Sequence, residues 1–145
     1  MTTINKSVLT VEEARRITAP FYDSLNRPAE KDVPGLLARA CVEDYESHHT
    51  NEDFLTRDQL ADVFESMGRA VPDLTWEVVD MHVIDDKVIV RGRAAGTPVA
   101  EFWGAAPTGK SFKTMAIDIF TVRDGKLANC YHIENWMTAL DQLNS

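Results

Sequence analysis

The spacing of hydrophobic residues changes about halfway along the chain. Before Leu74, apolar residues recur every three or four positions, which is the spacing of amphipathic helices. From Leu74 onward they recur at every second position, which indicates strands. Helices followed by strands predict an α+β fold, in which the helices cover a curved antiparallel sheet that encloses a pocket. The length of 145 residues suits a single domain over residues 1–145.

Three helices are predicted in the first half of the chain. Thr10 and Glu13 form a capping box, so the first helix begins at Thr10, and Pro20 should kink or interrupt it. A shorter second helix is expected over residues 33–40. A second capping box begins the third helix at Thr56.

The second half of the chain predicts strands joined by tight turns. The predicted strands cover residues 74–84, 87–95, 99–104, 112–122 and 127–136. Hairpin turns are expected at residues 85–86 and at residues 123–126, because Asp and Gly favour such turns. Residues 42–49 add a short extended piece, and a short helix ends the chain.

Asp118 raises a chemical question, because it is the only acidic residue in an otherwise apolar strand. Burying it without a partner would cost several kcal/mol or raise its pKa, by roughly 3 to 5 units in the extreme case. A carboxylate in that situation can remove a proton from a carbon next to a carbonyl group. The alternative is a structural aspartate that accepts hydrogen bonds from a neighbouring strand or helix end. The residue types leave both interpretations open.

The turn at residues 123–126 decides which residues face Asp118. We favour a three-residue loop, which pairs Val122 with Lys126 and places Cys130 opposite Asp118. A two-residue loop would shift the partner strand by one position and turn its side chains to the other face.

The face on which His132 lies depends on the length of that loop. With the three-residue loop, His132 and Glu134 share a face with Asp118, and His132 is the best candidate for a second catalytic group. With the two-residue loop, His132 leaves that face. The alternative role for His132 is a partly buried histidine that is satisfied by a backbone carbonyl group.

Side chains on the expected outer face look structural. Asp80 and Arg91 are predicted to form a cross-strand ion pair, and His82 shares the face of Asp80. His48 and His49 are adjacent in an extended piece, so at most one of them can enter a cavity. A surface role is therefore expected for both.

Composition and motifs exclude several function classes. The net charge of −8 and pI of about 4.9 argue against a nucleic acid partner, which would require clustered Lys and Arg. No apolar run is long enough to span a membrane, and the first residues lack the apolar core of a signal peptide, so we expect a cytoplasmic protein. The four histidines lack metal-ligand spacing, and no nucleotide-binding motif is present. Cys41 and Cys130 are expected to be plain thiols.

Four segments of the chain, taken in order, resemble the SnoaL-like polyketide cyclases of the nuclear transport factor 2-like superfamily. They are AVPDLTWEVVD (70–80), DKVIVRGRAAGT (86–97), EFWGAAPTGKSF (101–112) and IDIFTVRDGKL (117–127). The tail YHIENWMTALDQL (131–143) also resembles that of many members. The resemblance extends from about residue 44 to residue 143.

The resemblance implies a cone-shaped α+β barrel with a pocket between the helices and the sheet, usually in a dimer or larger oligomer. Members characterised as cyclases close a ring by an intramolecular aldol reaction without metal or cofactor. An aspartate on the strand after the Pro-Thr-Gly-Lys turn is their general acid/base, and Asp118 fits that position. The ligand would be a small hydrophobic or polyketide-like carbonyl compound. The pocket-wall and substrate-binding candidates are Tyr22, Trp103, Phe112, Phe120 and Glu134.

Two positions depart from the family pattern. Pro98 stands where members commonly carry a histidine, and Asn135 replaces an aspartate in the tail. The change at Pro98 favours a second hypothesis, a module of the same fold that binds a small molecule without turning it over. A third hypothesis is a hydrolase, an isomerase or an accessory to an oxygenase, since the fold hosts several chemistries.

Overall fold

The computed structural model describes residues 8–145 and confirms the α+β class. In that part of the chain, four α-helices pack on one six-stranded sheet. The helices are α1 (Val11–Asp23), α2 (Val33–Ala40), α3 (Arg57–Ala70) and α4 (Trp136–Asn144), with a short 3-10 helix at Pro28–Glu30. The strands are β1 (Cys41–His48), β2 (Phe54–Thr56), β3 (Thr75–Ile84), β4 (Lys87–Gly96), β5 (Phe112–Arg123) and β6 (Lys126–Glu134).

The sheet is mixed rather than fully antiparallel, and it is not closed into a barrel. Its strand order is β2-β1-β6-β5-β4-β3, and β1 runs parallel to β6 while the other neighbours are antiparallel. The extended piece at residues 42–49 therefore belongs to the central sheet, and only two α-helices precede it. Alternation of side chains shows that a segment is a strand but does not show which distant strand lies beside it.

Both predicted capping boxes are confirmed. The hydroxyl of Thr10 accepts a hydrogen bond from the backbone N–H of Glu13 (3.1 Å), and that of Thr56 accepts one from Gln59 (3.2 Å). Helix α1 continues through Pro20 to Asp23 without interruption. Because Pro20 lies in the last turn, few backbone hydrogen bonds remain for it to disrupt.

The predicted strand at residues 99–104 does not form. Phe102 and Ala105 make only an isolated bridge, because Trp103 (φ 49°) and Gly104 (φ 81°) adopt left-handed conformations that reverse the chain. The segment after β4 is therefore a loop that crosses one end of the sheet.

The core between the inner face of the sheet and helices α1 and α3 is aromatic. The ring of Phe21 contacts Tyr22, Phe64 and Phe120 edge-on, with centroids 5.1 to 5.7 Å apart. Phe120 in β5 is fully buried, and burying such a side chain contributes about 1.5–3 kcal/mol. These contacts fix α1 across β5, two residues from Asp118.

Candidate active site

The β5–β6 turn has two residues rather than three. Arg123 pairs with Lys126, and the intervening Asp124 (φ 54°) and Gly125 (φ 74°) are both left-handed, as a tight type I′ hairpin requires. The predicted pairing of Val122 with Lys126 is therefore wrong.

A β-bulge next to the turn nevertheless restores the predicted face. Beyond the turn the register shifts by one residue at Ala128, so that Thr121 pairs with Asn129. The added residue turns His132 to the inner face directly opposite Asp118. The prediction that Cys130 lies opposite Asp118 was wrong, but the prediction that Asp118 and His132 share a face is confirmed.

Asp118 is buried on the inner face of β5, with 5% of its surface exposed. The hydroxyl of Tyr22 in α1 donates a 2.6 Å hydrogen bond to its Oδ2, and the Cys130 thiol approaches its Oδ1 at 3.9 Å. Burial raises the pKa of Asp118 to about 6, although the Tyr22 hydrogen bond opposes the rise. The negative charge of Glu134 contributes to this rise, and the charge of His132 opposes it. Asp118 can therefore exchange a proton near neutral pH.

His132 and Glu134 form a second pair on the same face of β6. The imidazole Nδ1 lies 2.8 Å from Oε2 of Glu134, and because a carboxylate only accepts, Nδ1 carries the proton. Burial favours the neutral imidazole, but the hydrogen bond and charge of Glu134, together with the charge of Asp118, outweigh it and raise the pKa of His132. The pair can thus hold a proton on His132 close to Asp118.

These groups lie beside two adjoining cavities. The larger has a volume of about 650 Å³ and is mainly apolar. Its walls include Leu60, Phe64 and Met67 of α3, Phe102 and Trp103 of the loop after β4, Trp136 of α4, and His132 and Glu134. The smaller, here called the inner chamber, has a volume of about 30 Å³, enough for one or two ligand atoms.

The acid/base side chains lie around the inner chamber, among apolar residues. Its lining includes Ser47, Trp76, Asp118, Cys130, His132 and Glu134. The two cavities share five wall residues: Leu60, Phe64, Met67, His132 and Glu134. A ligand in the apolar cavity would therefore meet the acid/base groups at one end.

The other sequence candidates fall in different places. Trp103 lines the mouth of the larger cavity, is 60% exposed and stacks on Trp136 at 5.8 Å. Phe112 is buried behind Phe102, with the rings stacked at 5.4 Å. Phe120 packs in the aromatic core described above. Phe112 and Phe120 therefore support the cavity from behind, and Trp103 forms part of its wall.

The two departures from the family pattern also have defined positions. Pro98 is buried just after β4, and the N–H of the following Val99 donates to the carbonyl of Ala70 at 2.8 Å. Asn135 caps α4, since its side-chain oxygen accepts a hydrogen bond from the N–H of Thr138 at 3.1 Å. An asparagine performs this capping role as well as an aspartate does.

Sequence reasoning did not assign site roles to Ser47 or the apolar face of α3. The helical spacing of Leu60, Phe64 and Met67 identified a buried stripe but could not show that part of it faces a cavity. Ser47 enters the site because β1 pairs with β6, which places it beside Cys130. Its neighbour His48 is buried against Tyr131 on the outer face, so the surface role expected for it was wrong, whereas His49 is exposed and lines the larger cavity.

Neither cysteine thiol is expected to be reactive at its position. Cys41 and Cys130 are buried and unbonded to each other, as predicted. Burial raises the pKa of Cys41 to about 12 and that of Cys130 well above its ordinary value, so neither is a ready nucleophile. Within residues 8–145, no three His, Cys, Asp or Glu side chains cluster as metal ligands do.

A family model of the SnoaL-like polyketide cyclases matches residues 16–143, which is most of the chain. The chain belongs to the SnoaL-like polyketide cyclase family. A search of curated proteins finds no match. Among the described residues, no helix is both long and apolar enough to cross a membrane.

Solved structures support the same assignment. The chain is similar to IdmH, a candidate polyketide cyclase from Streptomyces antibioticus, with 27% identity over 90% of this chain and 97% of IdmH and a TM-score of 0.77. TsrD from Streptomyces laurentii has 22% identity over 93% and 97% of the two chains, with a TM-score of 0.80. AclR, a candidate hydroxylase from Streptomyces galilaeus, has 21% identity over 93% and 87%, with a TM-score of 0.79. The last two likenesses show the SnoaL-like fold alone.

Proposed function

We propose that this chain is a cofactor-independent enzyme of the polyketide cyclase type, acting on a small hydrophobic carbonyl compound. One observation carries the proposal. A buried carboxyl group, Asp118, with a pKa raised to about 6, is held by Tyr22 and faces His132 at one end of an apolar cavity. A carboxylate in this setting is suited to removing a proton from carbon.

The reaction begins when the Asp118 carboxylate accepts a proton from a carbon next to a carbonyl group. The electron pair of the C–H bond moves onto the carbonyl oxygen and leaves an enolate. The enolate carbon attacks a second carbonyl group of the same molecule, which forms a carbon–carbon bond and an alkoxide. The alkoxide takes the proton from Asp118, which restores the carboxylate, and nothing is oxidised or reduced overall.

His132 and Glu134 serve this cycle as polar neighbours of the base. A protonated His132 opposite Asp118 favours the carboxylate form that accepts the substrate proton. Glu134 holds the imidazole in one orientation through Nδ1 and lines both cavities. Glu134 is therefore a positioning residue, and substrate contact by His132 is assigned to its remaining ring atoms.

Hydrogen exchange at carbon tests the first step without knowledge of the natural substrate. In D2O, 2-tetralone exchanges the protons next to its carbonyl group, and proton NMR follows the loss of their signals. We expect the protein to accelerate this exchange and Asp118→Asn to abolish the acceleration. Asp80→Asn is the matched control, since Asp80 is partly exposed and pairs with Arg91 on the outer face. Equal exchange with the Asp118→Asn protein would remove Asp118 from the mechanism.

The second candidate function is binding without turnover, and the small size of the inner chamber favours it. In that case native mass spectrometry would recover 2-tetralone bound in a fixed ratio, with no accelerated exchange. A hydrolase, an isomerase or an accessory to an oxygenase would use the same cavity with another substrate. The oxygenase class is a candidate because AclR, a candidate hydroxylase, has a similar fold.

We also propose that the chain forms a homo-oligomer, a dimer or a tetramer, through the outer face of the sheet. Met115 and Ile119 of β5 and Tyr131 of β6 are each 40–50% exposed on this face. Apolar side chains gathered on an exposed sheet face are typical of an interface. The predicted ion pair is confirmed beside them, with Arg91 Nη2 2.6 Å from Asp80 Oδ2. Because this face carries both a positive and a negative side chain, the same face of a second copy can be complementary to it.

The cytoplasmic location and the exclusion of nucleic acid stay predictions.

A further inference from the structure

Trp76 in β3 carries a buried hydrogen-bond donor with no partner among the described residues. The side chain is 5% exposed, lines the inner chamber and leaves its Nε1–H unbonded. Leaving a buried donor unpaired costs about 1–3 kcal/mol, so such groups are rare in folded proteins and call for an explanation. At an acid/base site, the natural explanation is a ligand atom that accepts this hydrogen bond.

The indole ring lies on the same inner face as the acid/base groups and lines the same chamber. A Cβ atom at Gly92 would lie 3.3 Å from Trp76 Nε1, so the nitrogen sits over that glycine. Gly92 pairs with Ala116, and Ala116 pairs with Glu134. Gly92 and Ala116 thus form a row of small residues on the inner face between Trp76 and Glu134. The open space for a ligand atom is the inner chamber, which both Trp76 and Glu134 line.

Most other donors around the inner chamber are already engaged. The hydroxyl of Tyr22 donates to Asp118, the Cys130 thiol is directed at the same carboxyl group, and Nδ1–H of His132 donates to Glu134. The hydroxyl of Ser47 also lines the chamber, but its proton rotates freely. Glu134 also holds the second ring nitrogen of His132 in place, but among the side-chain donors of the chamber the Trp76 indole N–H is the one that is fully buried and has no partner within the described residues.

We propose that the Nε1–H of Trp76 is the hydrogen-bond donor that stabilises the oxygen of the enolate. This inference rests on the proposed function and adds a catalytic residue to it. When Asp118 takes the proton from carbon, the C–H electron pair moves to the carbonyl oxygen, and the N–H binds that oxygen as its charge grows. The indole keeps its proton throughout. A fixed donor in a buried site stabilises such charge more than water does, because it needs no reorientation during the reaction.

An anion-binding experiment tests this role without turnover. Asp118→Asn imitates the protonated base, 4-nitrophenolate imitates the enolate, and 4-nitroanisole is the matched ligand that cannot ionise. Adding Trp76→Phe removes the N–H and keeps an aromatic side chain. By analogy with loss of one oxyanion donor, we expect about 100-fold weaker binding of 4-nitrophenolate and little change for 4-nitroanisole. Titrations followed by absorbance give both affinities, and Ser47→Ala provides the competing donor variant.

Two outcomes of the titrations would overturn the proposal. Equal weakening of both ligands would show that Trp76 contributes shape alone. A larger selective loss with Ser47→Ala would make the hydroxyl the donor instead. In the exchange assay, Trp76→Phe should lower kcat about 100-fold with KM nearly unchanged.

A spectroscopic measurement covers the case in which Trp76→Phe does not fold. Nitrogen-15 NMR of the Asp118→Asn protein resolves the indole N–H signals of Trp76, Trp103 and Trp136, which single Phe variants at 103 and 136 assign. The Trp76 proton should move downfield on addition of 4-nitrophenolate, and an unmoved signal would overturn the proposal. Selective phenolate binding without any ketone exchange in the wild type would instead refute the proposed function and leave the donor role intact.

Discussion

The hydroxyl of Tyr22 in α1 donates a 2.6 Å hydrogen bond to Oδ2 of Asp118 in β5. The two residues are 96 positions apart in sequence, and this buried contact joins the helical layer to the sheet at the candidate base. A hydrogen bond to a carboxylate stabilises its charged form, so Tyr22 counteracts the effect of burial on the pKa of Asp118.

Tyr22→Phe should therefore raise the pKa of Asp118 further above 6. A hydrogen bond to a charged group contributes about 1.5–3 kcal/mol, which corresponds to roughly 1–2 pH units. The acid limb of the pH profile for 2-tetralone exchange should move to higher pH by that amount. Tyr131→Phe, which removes a hydroxyl from the outer face, should leave the profile unchanged. A profile that keeps its midpoint in Tyr22→Phe would show that this hydrogen bond does not set the acidity of Asp118.

Asp118→Asn should stabilise the protein at high pH and not at low pH. The folded-state pKa of Asp118 is raised from 3.8 to about 6, so folding favours the protonated form. Its stabilising contribution is complete below pH 3.8 and is lost as pH rises through 6, a loss of about 3 kcal/mol. Asparagine does not ionise, so the variant should be about 1–3 kcal/mol more stable at pH 8 than the wild type, with the difference disappearing near pH 4.

Urea unfolding at several pH values measures this difference. Asp80→Asn, at a partly exposed aspartate paired with Arg91, is the control and should show no gain in the free energy of unfolding at pH 8. A difference between Asp118→Asn and the wild type that stays constant with pH would contradict the raised pKa.

Much of this site could be predicted from sequence because it depends on local patterns. The capping boxes at Thr10 and Thr56 use contacts three residues apart, so their sequences specify them. The position of Asp118 on an apolar strand was visible in the alternation of side chains. Its partner Tyr22 was expected only as a pocket wall, because a contact between distant elements leaves no periodic signal.

The errors arose where one residue changes the path of the backbone. A bulge at Ala128 offsets the shorter turn, and two shifts of one residue cancel, so His132 reached the predicted face by another route. The left-handed φ of Trp103 turned an expected strand into a loop, although most residues with a side chain avoid that conformation. The parallel pairing of β1 with β6 places Ser47 in the site, and no local sequence pattern predicts such a pairing.

Glu134→Gln should lower the pKa of His132. Burial alone favours the neutral imidazole, and the charge and hydrogen bond of Glu134 reverse that preference. Glutamine can still accept a hydrogen bond but carries no charge, so we expect the pKa of His132 to fall. Proton NMR of the imidazole C–H signals over pH measures the titration.

The raised pKa of His132 should also make the stability of the protein depend on pH. Because the folded-state pKa of His132 is raised above 6.5, its contribution is complete below 6.5 and is lost as pH rises through the folded value. Glu134→Gln should therefore lose more stability at pH 5.5 than at pH 8.5. Glu46→Gln is the matched control. Glu46 and His48 form the same kind of pair two residues apart on β1, with Glu46 Oε1 3.0 Å from His48 Nε2. A His132 titration that is unchanged in Glu134→Gln would show that Asp118, not Glu134, governs it.

Ile119→Lys should dissociate the proposed homo-oligomer. Ile119 lies on the outer face directly opposite Tyr131, four residues from Met115 along β5, and is 40% exposed. A lysine there can extend into water in the isolated chain, but in a face-to-face assembly it would bury a charge without a partner, which costs several kcal/mol. Sedimentation velocity should show a larger species for the wild type and a monomer for the variant, with the same thermal unfolding profile at high dilution. Ile84→Lys is the control, since Ile84 is exposed at the end of β3 and should leave the assembly intact. A wild-type monomer at high concentration, or an Ile119→Lys protein that sediments like the wild type, would show that this face does not join copies of the chain.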